Sequence, residues 1–243
     1  MSAYTDPYTR SAEHLDLLSR QPWTLLAPNV IEALSAVTAD TVVEIAAGTG
    51  LGTAVIADVC SSAEILAVEP SDHLRAILLH RIASDEHLRS RVTVDGTPFP
   101  QTQLPTSFDA LVLINSLGHF SPADRDELWH RLATGLTAGG CAVLNLQAPT
   151  TPTAIPEFEM SRERVGRRDY HGTAWAERID HATVLWHMAY RISEDGRVVD
   201  ARDVEYLWHT LGPTELLAEL AVHALAAEAV GNPMFGVHRI TAA

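Results

Sequence analysis

The fold of this chain is decided by the stretch Val42-Val43-Glu44-Ile45-Ala46-Ala47-Gly48-Thr49-Gly50-Leu51-Gly52. Its first half is a short apolar run that predicts a strand over 41–46, and its end opens a predicted helix over 52–59. Glycines between a strand and a helix let the backbone turn tightly and let a ligand approach without side-chain clashes. The stretch therefore predicts a nucleotide-binding loop.

Two acidic residues accompany this loop at informative spacings. Glu44 lies on the strand before Gly48, and Glu69 ends the next apolar run, 65–68. A carboxylate at the end of the second strand is placed to bond ribose hydroxyls. A carboxylate on the first strand would do nothing for a pyrophosphate, but it suits a ligand that carries a positive ammonium and a sulfonium. The two spacings together favour S-adenosylmethionine (SAM) as the ligand.

A dinucleotide is the competing ligand for such a loop. Its pyrophosphate requires the pattern Gly-x-Gly-x-x-Gly at the start of the helix. Counted from Gly48, the third glycine would have to be residue 53, which is Thr53. This departure disfavours a nicotinamide or flavin oxidoreductase without removing it from consideration.

Strand and helix patterns alternate from residue 41 onward, which is typical of a parallel sheet with helices on both faces. Ser121, Pro122 and Asp124 predict a capped helix start. After Pro149 the pattern changes: 150–158 reads as a loop, and strands over 181–192 and 197–208 form a predicted hairpin. A last helix is predicted from Pro213 to 227, followed by a strand over 234–240.

These patterns predict an α/β chain with a Rossmann-like, doubly wound, mostly parallel seven-stranded sheet. One C-terminal strand of that sheet is predicted to be antiparallel. The predicted organisation is a helical lid over 1–37, a SAM-binding core over 38–149, an antiparallel β cap that contacts substrate over 150–210, and a C-terminal part over 211–243 that completes the core sheet.

Composition narrows the class of protein. The formal net charge is -14, so a nucleic acid or an acidic membrane is a disfavoured partner, and arginines 162, 164, 167 and 168 read as a solvated patch. The chain contains no lysine, which excludes Schiff-base chemistry. Cys60 and Cys141 lie far apart and are predicted to be free buried thiols. No apolar stretch is long enough to span a membrane, and we expect a cytoplasmic protein.

Several segments resemble the motifs of class I SAM-dependent methyltransferases. Residues 42–53 resemble motif I, 67–71 the second motif, 92–97 the segment that lines adenine, 108–116 the fourth motif and 136–144 the turn into the fifth strand. The segments 116–120 and 233–237 are similar to small-molecule methyltransferases of natural-product pathways, including sugar N-methyltransferases. Ala46-Ala47 departs from the usual pair before the glycines, and Ala138 replaces a proline.

The motifs and the predicted lid together identify a set of candidate SAM-binding residues. Tyr4 and Tyr8 are placed on the lid, where packing against the first helix is the alternative to closing over the cofactor. Asn115 and Ser116 end the fourth strand, where a loop or capping hydrogen bond is the alternative to contact with the ligand. The candidate set is Tyr8, Glu44, Ala46, Gly48, Gly50, Glu69, Pro70, Gly96, Thr97, Asn115 and Ser116.

The candidate catalytic residues are His119, Tyr170 and His171. A histidine near a ligand cleft can act as a general base near neutral pH, whereas a partly buried loop histidine is the alternative for His119. Tyr170 and His171 fall in the predicted cap and precede a glycine, as pocket-lining residues can. Aromatic residues of the cap, Tyr206 and Trp208 among them, either line a substrate cage or pack the cap against the sheet. No metal-ligand spacing occurs, so no metal site is predicted.

The resemblance implies methyl transfer from SAM to an oxygen, nitrogen or carbon atom of a small molecule, in secondary metabolism. The alternative keeps SAM but changes the reaction to cyclisation or lysis of its aminocarboxypropyl chain, or to a SAM-assisted rearrangement. A SAM-sensing binding protein is a further, non-enzymatic alternative. A homodimer is compatible with such a chain, and the sequence leaves the oligomeric state open.

Overall fold

The computed structural model describes residues 6–243, so the predicted lid residue Tyr4 lies outside the described part. The helices are α1 (Ala12–Leu34), α2 (Leu51–Val59), α3 (Asp72–Ser84), α4 (Glu86–Arg89), α5 (Pro122–Gly135) and α6 (Pro213–Val222). The strands of the larger sheet are β1 (Thr41–Ile45), β2 (Glu64–Val68), β3 (Val92–Asp95), β4 (Phe108–Leu113), β5 (Leu136–Asn145), β10 (Leu225–Ala229) and β11 (Val237–Ala242). Those of the smaller sheet are β6 (Ile155–Val165), β7 (Arg168–Arg178), β8 (Thr183–Glu194) and β9 (Arg197–His209).

The larger sheet has seven strands in the order β10-β11-β5-β4-β1-β2-β3. The pairs β3–β2, β2–β1, β1–β4 and β4–β5 are parallel, whereas β11 is antiparallel to both β5 and β10. The predicted α/β class with one antiparallel C-terminal strand is confirmed. Chain order reverses between β1 and β4, and open sheets of this kind bind ligands at such a switch point.

Alternate residues of the central strands face opposite layers of helices. Val42 and Val112 belong to a buried cluster with α1, α2 and α3, whereas Val43 and Leu111 belong to a second cluster with α5 and α6. Burial on both faces explains why these strands are nearly continuous apolar runs. Glu44 has the same parity as Val42, so its side chain points toward α1 and α2.

The helix α5 begins as its sequence predicts. Ser121 accepts a hydrogen bond from the Asp124 N–H, and the Asp124 carboxylate accepts one from the Ser121 N–H, with Pro122 in the first turn. Such a capping box satisfies two of the amide groups that a helix start leaves unpaired. Its position directly after the segment 116–120 fixes where that segment runs.

Two local predictions are wrong. The run from Pro28 to Leu34 predicts a helix with the proline near its first turn, but α1 runs unbroken from Ala12 to Leu34 with Pro22 and Pro28 inside it. The last predicted helix ends at Val222 rather than 227, and Leu225–Ala229 instead forms β10, which pairs with β11. In both cases tertiary packing outweighs the local preference of the sequence.

The predicted cap is a four-stranded antiparallel sheet, β6-β7-β8-β9, larger than the hairpin that the sequence indicated. Arginines 162, 164, 167 and 168 are more than half exposed and each lies within 4.0 Å of a carboxylate, as expected for a solvated patch. Cys60 and Cys141 are free and buried, as predicted. Within residues 6–243, no helix is both long and apolar enough to span a membrane.

Candidate functional site

A cavity of about 430 Å³ opens at the carboxyl ends of β1, β2 and β4. The glycine loop and the end of β2 form one wall, the helix α1 and the segment before it form a second, and the segment after β4 forms a third. Of the candidate cofactor residues, those that line the cavity are Tyr8, Glu44, Ala46, Gly48, Glu69, Pro70, Asn115 and Ser116.

Glu69 is held rigidly at the end of β2. Its side chain is almost fully buried, and its two oxygens accept hydrogen bonds from the Gly48 N–H at 2.7 Å and the Ser71 N–H at 2.8 Å. Each carboxylate oxygen has two lone pairs, so both can accept one more hydrogen bond from a ligand. Burial raises the pKa of Glu69 above its usual value, and the two backbone N–H groups oppose that rise.

Glu44 is buried where β1 meets α2. The Thr53 hydroxyl donates a hydrogen bond to its Oε2 at 2.5 Å, which explains why residue 53 is not the third glycine of a dinucleotide pattern. Burial raises the pKa of Glu44 to about 8, and the neighbouring Glu69 adds to the rise. A methyl group on Gly52 would lie 2.6 Å from Glu44 Oε1 and 2.9 Å from the Trp23 ring, so glycine is required there.

The glycine loop reaches its conformation through left-handed residues. Gly48 has a φ of 60°, and Ala46 has a φ of 59° in spite of its side chain. Gly50, with a φ of 84°, packs against Leu78 of α3 and does not line the cavity. Gly50 was predicted to contact SAM, but the structure places it as a turn residue at the start of α2.

The segment after β3 lines the cavity with residues that come two positions after the predicted ones. Gly96 lies against the Arg75 guanidinium, and Thr97 is exposed, with its N–H bonded to Asp95 Oδ1 at 2.9 Å. Neither residue lines the cavity; Pro98 and Phe99 line it instead. The predicted segment therefore reaches the cavity, but Gly96 and Thr97 are not the residues that line it.

Asn115 and Ser116 follow β4 at the mouth of the cavity. Asn115 has a φ of 56°, and its amide oxygen accepts a hydrogen bond from Asn145 Nδ2 at 2.7 Å. Asn145 Oδ1 in turn accepts from the Asn115 N–H at 2.7 Å. The Ser116 hydroxyl is buried and has no hydrogen-bond partner among residues 6–243, which leaves it available to a ligand.

His119 is the predicted catalytic residue that the structure brings to the cavity. Its Nε2 lies 2.6 Å from the Tyr8 hydroxyl. Its ring centroid lies 5.0 Å from that of Tyr206 and 5.1 Å from that of Trp208, both on the cap strand β9. Burial lowers the pKa of His119 to about 4, with a further contribution from His209, so the imidazole is neutral at neutral pH.

The cap positions this histidine through a close contact. Gly118 lies flat against Trp208, and a methyl group on Gly118 would lie 1.9 Å from the indole carbon Cε2. No rearrangement of a flexible side-chain end could relieve such an overlap. Neither Tyr206 nor Trp208 lines the cavity, and both pack the cap onto the core against His119.

The other two predicted catalytic residues do not line the cavity. The ring of Tyr170 lies 5.9 Å from His14, on the face of β7 that packs against α1. His171 points to the opposite face of β7, where its Nε2 lies 2.9 Å from Glu159 Oε2. Successive residues of a strand point to opposite faces, so the two side chains could not both have reached one pocket. Tyr170 and His171, which were predicted to be catalytic, therefore lie outside the cavity.

Several cavity residues were not predicted from the sequence. Leu15, Ser19 and Trp23 line it from α1, at the spacing of one face of a helix. Phe99 and Phe120, with ring centroids 5.4 Å apart, line it together with Asp124. The spacing in α1 was the one available signal, and it was obscured by the two prolines inside that helix.

The N-terminal segment is tied to the cofactor wall. Asp6 Oδ2 accepts a hydrogen bond from the Ser71 hydroxyl at 2.9 Å, and Asp6 Oδ1 accepts one from the Tyr8 N–H at 2.8 Å. Farther along, Asp16 pairs with Arg81 at 2.6 Å, and the Arg81 Nε donates to the Thr49 carbonyl at 2.9 Å. The segment 6–16 is thus bonded at both ends to the elements that carry Glu69 and the glycine loop.

Comparison with known proteins assigns this architecture. Residues 43–142 match the family model of a methyltransferase domain. No curated protein matches the sequence. The chain is similar in structure to DesVI from Streptomyces venezuelae, with a TM-score of 0.78 and 16% identity over 99% of this chain and 100% of that one.

Two further solved structures are similar to the chain. The sugar N-methyltransferase KedS8 from a Streptoalloteichus species has a TM-score of 0.74 and 18% identity over 99% of this chain and 96% of that one. SAM-bound CalS10, an amino pentose methyltransferase of calicheamicin biosynthesis from Micromonospora echinaspora, has a TM-score of 0.72 and 14% identity over 100% and 99%. At these identities the similarity establishes the fold.

Proposed function

We propose that this chain, whose residues 43–142 match a methyltransferase domain, transfers the methyl group of SAM to an amine nitrogen on a small sugar-like molecule of secondary metabolism. One observation carries the proposal. A single cavity joins Glu44 and Glu69 at the glycine loop to the Tyr8–His119 pair beneath the cap.

The cofactor end of this cavity offers complementary groups for SAM. Ribose hydroxyls would donate to the free lone pairs of Glu69, whose position is set by Gly48 and Ser71. The positive methionine end would lie toward Glu44, whose ionised form it favours. The unpartnered Ser116 hydroxyl is a further group for the polar end of the cofactor.

The acceptor end suits a neutral amine. Methyl transfer needs a free lone pair on nitrogen, and the neutral imidazole of His119 with the Tyr8 hydroxyl can orient the amine without adding positive charge. A base with a pKa of about 4 removes little of the proton from an ammonium product. Positioning and exclusion of water therefore supply most of the rate, as in-line displacement allows.

Aromatic cavity residues and two structural neighbours support an amine nitrogen on a sugar as the acceptor. Phe99, Phe120 and Tyr8 surround the acceptor end with aromatic rings against which a ring-shaped substrate can stack. The sugar N-methyltransferase KedS8 and the amino pentose methyltransferase CalS10 share the fold along nearly the whole chain. These relatives act on amino sugars by their descriptions, and the proposal extends that substrate class to this chain.

The test begins with calorimetry of SAM and S-adenosylhomocysteine, both of which should bind at one site per chain. The enzyme is then incubated with SAM and a pair of acceptors, an amino sugar and its hydroxy analogue, and products are identified by mass spectrometry. We expect one or two added methyl groups on the amine only. Methylation of the hydroxy analogue alone would overturn the choice of nitrogen.

A parallel incubation contains SAM without any acceptor. Methyl transfer predicts that SAM survives this incubation unchanged. Conversion of SAM to a lactone or another fragment of its aminocarboxypropyl chain would instead establish a non-methylating reaction. Absence of binding by both SAM and S-adenosylhomocysteine would contradict the assignment of the cofactor itself.

A further inference from the structure

An imidazole lies buried between the lid helix and the cap sheet without any hydrogen-bond partner. His14 is fully buried, and neither of its ring nitrogens has a partner in the part of the chain that the structure describes. Its ring stacks on Tyr190 of β8 at a centroid distance of 4.9 Å and an interplanar angle of 13°. A buried, unsatisfied nitrogen is costly, and each such group in a native protein requires a reason.

Two carboxylates converge on this imidazole from different elements. Glu13 Oε1, on the adjoining residue of α1, lies 3.5 Å from His14 Nε2. Asp200, on the inward face of β9, offers a third ligand atom, and the three atoms all lie within 4.8 Å of one another. Tetrahedral coordination at about 2.0–2.2 Å separates neighbouring ligand atoms by roughly 3.3–3.6 Å, so the observed separation of Glu13 and His14 already fits.

From this geometry we propose that Glu13, His14 and Asp200 form a binding site for a divalent transition metal of the zinc type. One imidazole nitrogen with two carboxylate oxygens is a ligand set for Zn²⁺ or Co²⁺, whereas Mg²⁺ and Ca²⁺ take oxygen ligands alone. Water completes the fourth position. The site is separate from the SAM cavity, whose lining includes none of the three residues.

The cluster borders an open cavity, and Arg202 competes with a metal ion for Asp200. An open cavity of about 470 Å³ is lined in part by Glu13 of the cluster and by Arg202. Arg202 Nη1 pairs with Asp200 Oδ1 at 3.1 Å, so the metal must share Asp200 with this guanidinium or displace it.

Occupancy would couple two parts of the molecule that the chain places far apart. Glu13 and His14 lie in the first turn of α1, the helix that lines the SAM cavity, and Asp200 lies on the cap. A metal bonded to both would fix the start of the lid helix to the cap sheet. The metal site is defined by these three side chains and is independent of the reaction and of the acceptor.

Titration of the metal-stripped full chain with Co²⁺ tests the site, because four-coordinate Co²⁺ absorbs strongly in the visible range. We expect one Co²⁺ per chain, displaced by Zn²⁺, and an increase in Tm that EDTA reverses. Glu13→Gln and Asp200→Asn should each weaken binding by at least about tenfold. Both side chains are at least partly exposed, so neither change leaves a cavity in the core.

The matched control is Glu32→Gln, an exposed acid on the same helix and outside the cluster, which should bind Co²⁺ as the unmodified chain does. His14→Ala should abolish the visible spectrum wherever it folds, as judged by circular dichroism. A spectrum that remains that of the hydrated ion would overturn the proposal. So would binding that is equally strong in the Glu13→Gln, Asp200→Asn and control variants.

Discussion

The hydroxyl of Tyr8 lies 2.6 Å from Nε2 of His119, a contact that joins residues 111 positions apart in the chain. It closes the cavity between the lid and the segment after β4. Burial keeps His119 neutral, and the tautomer of the neutral ring decides whether Nε2 or the Tyr8 hydroxyl donates. In the proposed function, this pair contacts the acceptor.

Removal of this hydrogen bond is expected to impair turnover and spare cofactor binding. Tyr8→Phe should lower kcat/KM for the acceptor about tenfold, the loss that corresponds to one hydrogen bond of about 1.4 kcal/mol. Affinity for S-adenosylhomocysteine should change by less than about threefold. Tyr170→Phe is the matched control, since Tyr170 lies outside the cavity, and its activity should equal that of the unmodified enzyme.

Stability of the cofactor-free protein should depend on the ionisation of Glu44. Its folded pKa of about 8 lies above the usual value of 4.5, so the folded state holds a proton that the unfolded state releases. This contribution to stability is fully present below pH 4.5 and is lost as pH rises toward 8. The Tm should therefore fall over this window, and less so in Glu44→Gln, which cannot titrate.

Differential scanning fluorimetry from pH 4.5 to pH 8.5 measures this difference between the two proteins. Binding of SAM should show the opposite trend, because its positive charge favours the ionised carboxylate. Calorimetry at both ends of the range should give tighter binding at the higher pH for the unmodified chain and a smaller difference for Glu44→Gln, in which Glu69 still titrates. Parallel Tm curves for the two proteins would contradict the assignment of the proton to Glu44.

The left-handed backbone conformation of Ala46 is less favourable for alanine than for glycine. Its φ of 59° lies in the left-handed region, where a residue with a β-carbon is less stable by about 1–2 kcal/mol. Glycine loses about 0.5–1 kcal/mol of that gain through the entropy of the unfolded chain. Ala46→Gly should therefore stabilise the protein by about 0.5–1 kcal/mol in urea unfolding.

Ala47→Gly provides the contrasting change one residue later. Ala47 is buried and is not among the residues with positive φ, so its substitution offers no relief of backbone strain. It should destabilise the protein by about 0.5–1 kcal/mol. Equal effects of the two substitutions on the free energy of unfolding would show that the left-handed conformation of Ala46 costs nothing.

Asp6 is expected to control how long the cofactor product stays bound. Asp6→Ala removes the acceptor for the Ser71 hydroxyl and the Tyr8 N–H, which frees the segment before α1 from the wall that carries Glu69. Loss of one to two hydrogen bonds should raise the dissociation rate of S-adenosylhomocysteine about five- to tenfold. Stopped-flow fluorescence of Trp23, which lines the cavity, can follow the release.

A neighbouring acid serves as the control for this experiment. Asp72 lies beside Ser71 but pairs with Arg75, and its side chain is 82% exposed. Asp72→Ala removes the same charge from the same region without touching the segment before α1, and it should leave the dissociation rate unchanged. Similar acceleration by both variants would mean that net charge, rather than the contact of Asp6, governs release.

The local features of this fold were available from the sequence alone. Each of these features joins residues that are close in the chain. The strand, glycine turn and helix around Gly48 are consecutive, Glu69 follows Gly48 by 21 residues, and the capping box joins Ser121 to Asp124. Their conformations follow from backbone freedom, burial and capping. The predicted fold is confirmed, and residues 43–142 match the model of a methyltransferase domain.

Only the tertiary structure decided which residues meet at the site. Tyr8 and His119, Gly118 and Trp208, and His14 and Asp200 are each brought together by packing of the lid and cap, which no local pattern encodes. Strand geometry turns Tyr170 and His171 to opposite faces of β7, and the position of the cap keeps both away from the cavity. Side-chain neighbours across a sequence gap depend on how surfaces fit, whereas a turn or a cap depends on the chain beside it.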